Sequence, residues 1–186
     1  MGSLSSQEDG KAMLLPYMLA FCRIVIGLVF AISFIGKAWT FTAFGQAITR
    51  FDMLPQWAKK PAAFLILTTE FGVVALMVIG GSLLNIGFAL AAALLFVFSI
   101  AITSALTRKI EIPCNCFGTS DKPVSIYEVG RNGIFIMCAV VGYAVNTIDH
   151  RNPIEVFPLF FTGAFAFVFV AFWIHVGEVA QLLWKS

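Results

Sequence analysis

Charge is scarce in this sequence: 12% of its 186 residues are charged, about half the roughly 25% of a soluble domain. With 60% of residues hydrophobic, a water-soluble fold could not cover the apolar surface, so that class is excluded. Histidine is rarer still. His150 and His175 are the only two, and neither has the spacing that would complete a tetrahedral zinc site. A net charge of +2, scattered along the chain, leaves no basic patch for a nucleic acid. The opening MGSLSSQEDGK lacks the basic segment and small-residue cleavage site of a secretory signal, so the first apolar run reads as a retained helix. Four cysteines make no disulfide scaffold by themselves in a protein whose helices are confined by lipid. Internal repeats and low-complexity tracts are missing too.

Long apolar runs are what the chain has instead. A helix rising about 1.5 Å per residue needs about 20 such residues to cross a hydrocarbon core of about 30 Å. Hydropathy predicts five spans, at about Leu14 to Ile35, Ala62 to Ile79, Leu83 to Leu106, Val129 to Val145 and Ile154 to Val176. Gly80, Gly81 and Ser82 are almost all that joins the second to the third, which predicts a tight helical hairpin. The fourth is the shortest strictly apolar run, because Arg131 and Asn132 fall in its first turn. Between the first two spans, Trp39, Phe41, Phe44, Ile48 and Phe51 recur at helical spacing, as in a helix lying in the membrane interface. Trp39 and Trp57 suit headgroup depth, and Pro55 and Pro61 mark the end of that helix and the start of the next span. The fold class is therefore all-α, a polytopic membrane bundle with a four-helix core, one further C-terminal transmembrane helix and an interfacial amphipathic helix. Its expected divisions are a polar tail (1–13), the four-helix domain (14–147), and the additional helix with its tail (148–186).

Lys11 and Arg151 fall on one side of such a bundle. Lys37, Arg50, Lys59, Lys60, Arg108, Lys109, Lys122 and Lys185 fall on the other, and by the positive-inside rule that second side faces the cytoplasm.

The same side carries the run Pro113-Cys114-Asn115-Cys116-Phe117-Gly118. A disulfide between residues i and i+2 requires a local bend, which Asn115 tolerates well, and the strained bond that results is labile and oxidising. Cys114 and Cys116 thus read as a redox pair. Half of a metal site and two idle thiols are the alternatives. Cys22 and Cys138 lie inside spans, where cysteine is ordinary packing material. Two further ionisable residues are deep in apolar runs, Arg23 in the first and Glu70 in the second. Counted from the span ends, their depths agree to within about 5 Å, which predicts an ion pair that locks two helices or shapes a pocket.

Taken together, Pro-Cys-x-Cys-Phe-Gly after the third span, Arg131-Asn132 opening the fourth, Arg23 and Gly27 in the first, Gly36-Lys37 at its end, Phe51, Leu54 and Pro55, and Glu70 in the second resemble the MauE family of methylamine-utilisation membrane proteins, within the wider DoxX-like group. The resemblance runs from about Tyr17 to Tyr143 and leaves the fifth span outside. It implies a four-helix bundle working in thiol-disulfide chemistry beside a thioredoxin-like partner, with Cys114 and Cys116 as the redox pair. In methylamine utilisation the beneficiary is the disulfide-rich small subunit of methylamine dehydrogenase. Disulfide formation belongs on the oxidising, extracytoplasmic face, so the resemblance and the charge count place the cysteines on opposite sides.

The expected function is that of a multi-pass protein of the cytoplasmic membrane supporting disulfide formation in a partner protein. No cofactor motif is evident; a membrane quinone is the electron acceptor such chemistry would call on. The alternative is a non-enzymatic accessory or assembly subunit, its fifth span offering Phe157, Phe160, Phe161, Phe165, Phe167, Phe169 and Phe172 to other membrane subunits. A small-molecule transporter is the weakest reading, with one buried pair to line a path.

Overall fold

The computed structural model describes residues 2–42, 44–45, 56–108, 126–148 and 156–184. All secondary structure among these is helical: α1 (Gly2–Trp39), α2 (Gln56–Ile79), a 3₁₀ turn (Gly81–Leu83), α3 (Leu84–Thr107), α4 (Ile126–Ile148) and α5 (Val156–Trp184). Four carry apolar stretches long enough to cross a membrane, Leu14–Trp39, Pro61–Ile79, Gly81–Thr107 and Ile126–Ile148. In α5 the apolar stretch Phe160–His175 is shorter among the described residues. The polytopic helical bundle expected from hydropathy is the observed architecture. The first apolar stretch begins at Leu14 as expected, and the polar residues ahead of it continue the same helix back to Gly2.

The α2–α3 hairpin turns on two glycines with left-handed backbone, Gly80 at φ 79° and Gly81 at φ 67°. Only glycine takes that conformation without steric cost. A single 3₁₀ turn then leads into α3.

The second helix packs against both α1 and α3, α3 lies along α4, and α4 returns to α1, which closes the four-helix core. Val25, Ile26, Val29 and Phe30 of α1 meet Val73 and Met77 of α2, Phe88, Ala91 and Leu95 of α3, and Phe135 and Ala139 of α4 in one continuous core. Small residues allow the closest approach. A Cβ on Gly142 of α4 would come within 2.5 Å of the Phe88 ring, so that glycine is what lets α3 and α4 pack tightly there. Asn146 donates a 2.8 Å hydrogen bond to Asn85 near the hairpin end of the pair, tying α4 to α3.

The fifth helix sits on the outside of α1. Ala166 and Val170 are buried there, and Phe21 stacks with Phe165 and Phe169 at centroid distances of 5.6 and 5.5 Å. Its remaining face is covered in exposed phenylalanine, including Phe160, Phe161, Phe167 and Phe172. Exposed apolar side chains also mark the outward faces of the other helices, such as Phe64, Phe71, Phe96 and Met137. For a soluble protein that surface would aggregate; in a bilayer it faces a matched solvent.

Candidate functional site

Inside the bundle, in the half opposite the α2–α3 turn, the structure gathers polar side chains that the sequence scattered over three helices. Lys37, near the C-terminal end of α1, forms an ion pair with Glu70 of α2, and both side chains are completely buried. Ser33, one turn before Lys37, accepts a 3.0 Å hydrogen bond from the ammonium and donates a 3.1 Å bond to Glu70 Oε1. The Lys37 ammonium also lies 4.3 Å from the ring centroid of Phe98 on α3 and 5.3 Å from that of Phe44, where two π faces replace part of its lost hydration. A charge so deep persists only because it is paired and hydrogen-bonded.

Beside the pair is a small cavity lined by Ser33, Glu70, Leu95, Phe98, Ile102, Arg131 and Asn132 among others. Glu70 Oε2 is buried and has no hydrogen-bond partner. The cavity volume of about 20 Å³ suits a single water and nothing larger. Arg131 and Asn132, which looked like the polar mouth of the fourth span, are instead buried one turn inside α4. The helix begins earlier, at Ile126, so its ionisable residue faces the bundle rather than the headgroups.

The predicted ion pair between Arg23 and Glu70 is not what the structure shows. Arg23 Nε donates to Met77 O at 2.5 Å and its Nη2 to Val78 O at 2.8 Å. These carbonyls belong to the last turn of α2, where no later amide of the helix reaches them, and a cation at a helix C-terminus is also favoured by the dipole. Gly80 permits the contact, since a Cβ there would be 3.0 Å from the guanidinium. The error lay in assuming that α1 and α2 end level. In fact α1 overshoots the hairpin, so Arg23 is level with residues seven and eight places beyond Glu70, about 10–12 Å away along the axis. Lys37 was missed because it was counted as a loop charge; its spacing of four from Ser33 on an apolar helix was the available sign. Removing it from the loops leaves the charge asymmetry between the two sides in the same sense.

Cys114 and Cys116 lie outside the described residues. So do most of the stretch assigned to the interfacial helix, including Ile48, Phe51, Leu54 and Pro55. Trp39 and Trp57, at either end of that stretch, are exposed, at 87% and 82%. Cys22 and Cys138, both free, pack in the core as expected.

Residues 15–145 match the model of the family described as Methylamine utilisation protein MauE. The chain belongs to this family. Well over half of its length is covered, from the start of the first span through α4, and both the buried polar cluster and the Cys114-Asn115-Cys116 run fall within the MauE match. The fifth helix falls outside it. No curated protein and no solved structure matches the chain. The protein is thus a multi-pass membrane member of a family associated with methylamine utilisation.

Proposed function

We propose that this MauE-family protein is a thiol-disulfide redox component of the cytoplasmic membrane, in which Cys114 and Cys116 exchange with a thioredoxin-like partner and so support disulfide formation in a client protein. The observation that carries this reading is that the family match includes Pro113 to Gly118, in a segment tethered at both ends to the tightly packed α3 and α4. The chain leaves α3 at Arg108 and enters α4 at Ile126, in the half of the bundle that also holds the Lys37 and Glu70 pair.

In the step proposed, a partner thiolate attacks one sulfur of the Cys114 to Cys116 disulfide. A mixed disulfide forms, the Cys114 to Cys116 bond breaks, and the released sulfur takes up a proton. A second partner thiolate then attacks the mixed disulfide, so the partner leaves with a disulfide and this chain keeps two thiols. Reoxidation sends two electrons and two protons to a membrane quinone.

Single serine replacements at Cys114 and Cys116 test the reading. One of them should accumulate a covalent complex with the partner that migrates slowly on non-reducing gels and collapses with reductant. Absence of such a complex from both variants, with full activity of the double variant in its host pathway, would reject the redox reading.

A further inference from the structure

Between α1 and α2 lies a groove of about 590 Å³, with Leu84 of α3 lining it at the hairpin end. That volume is within the roughly 300–1,000 Å³ of sites that take a small molecule. Ala20, Met77 and Leu84 of its lining are buried, whereas Val78 is 72% exposed, so the groove opens toward lipid. Arg23 is the one polar side chain among the described residues that line it. It stands level with the last turn of α2, within a turn of where the apolar span ends at Ile79. Gly27 and Ala31 follow Arg23 at intervals of four on the same face of α1, which carries the groove about 12 Å deeper into the bilayer. Close helix packing does not require Gly27, since a Cβ there would meet that of Met77 at an ordinary 3.7 Å. Its missing side chain instead widens the groove beside Arg23.

A guanidinium has five N–H donors. The bonds to Met77 and Val78 use two of those on Arg23, and both acceptors are neutral carbonyls. Among the described residues no carboxylate pairs with Arg23. An unanswered positive charge with donors to spare thus stands at the headgroup end of an apolar groove. We propose that this groove binds one anionic phospholipid, whose phosphodiester accepts the remaining Arg23 donors and one of whose acyl chains lies along Gly27 and Ala31. A neutral amphiphile such as a quinone could fill the apolar part but would leave the charge without a counter-ion, so an anionic headgroup is the complementary one. The bound lipid would link α1 to the last turn of α2 and stabilise the hairpin by mass action. The site lies in the half of the bundle opposite Lys37 and Glu70 and is independent of the exchange proposed for Cys114 and Cys116.

The test titrates the full chain, purified in a neutral detergent, with phosphatidylglycerol or with phosphatidylcholine of the same acyl chains, and counts bound lipids by native mass spectrometry. One phosphatidylglycerol should be held about tenfold more tightly than phosphatidylcholine, the preference that one charge-assisted contact supplies. Arg23→Gln should abolish that preference, and Arg23→Lys should keep most of it. Because Arg23 also caps α2, a second variant leaves it untouched: Ala31→Phe fills the groove about two turns away and should weaken phosphatidylglycerol binding by about tenfold. The proposal is overturned if the wild-type chain holds both lipids equally, if the preference survives Arg23→Gln, or if Ala31→Phe binds phosphatidylglycerol as the parent does. Displacement of phosphatidylglycerol by an equal concentration of decylubiquinone would also overturn it and assign the groove to a quinone.

Discussion

Lys37 and Glu70 form a completely buried ion pair, with the hydroxyl of Ser33 bonded to each partner. Such a pair contributes less by its attraction than it costs when one side is removed, because a lone buried charge has no hydration to fall back on. Glu70→Gln and Lys37→Met should each destabilise the bundle by about 3–5 kcal/mol, and the double variant by clearly less than the sum. Denaturant unfolding in detergent micelles measures this. Additive losses would show that the two side chains do not depend on each other.

Arg23 and Glu70 serve different contacts, which a double-mutant cycle can show. Arg23→Gln removes a charged cap from the Met77 and Val78 carbonyls and should cost about 1.5–3 kcal/mol. Its effect should add to that of Glu70→Gln within about 0.5 kcal/mol, as for separated sites. By contrast it should couple strongly to Gly80→Ala, which pushes a methyl group against the guanidinium. Coupling of Arg23 with Glu70, and none with Gly80, would restore the pairing expected from depth alone.

Gly142 of α4 lies directly against the Phe88 ring of α3, and its replacement tests that contact. Gly142→Ala should lower stability by about 1–3 kcal/mol through overpacking against Phe88. Phe88→Leu should recover part of the loss when combined with it, although alone it opens a cavity. A Gly142→Ala variant as stable as the parent would mean that Phe88 swings aside freely.

The side of the membrane that holds Cys114 and Cys116 can be read with a membrane-impermeant maleimide on intact cells, before and after a mild reductant. On the proposed function these two cysteines label from outside, and only after reduction. Cys22 and Cys138, inside the spans, should stay unlabelled in both conditions. Labelling only after cell lysis would place the pair on the cytoplasmic side, in line with the loop charges, and would rule out direct service to an extracytoplasmic client.

Four of the spans, the hairpin at Gly80 and Gly81, and the family were determined by the sequence alone. The reason is that each depends on local quantities: the apolar run that a bilayer requires, the backbone freedom of two adjacent glycines, and a motif written in consecutive residues. What pairs with what was decided only by the tertiary structure. Depth counting fixes a residue along one helix to within about a turn, but a contact also requires the axial offset between two helices and the direction each side chain faces, which turns by about 100° per residue. Those are set by packing across the whole interface. Because α1 runs past the hairpin, Arg23 meets the open carbonyls of α2 and Glu70 meets Lys37 instead.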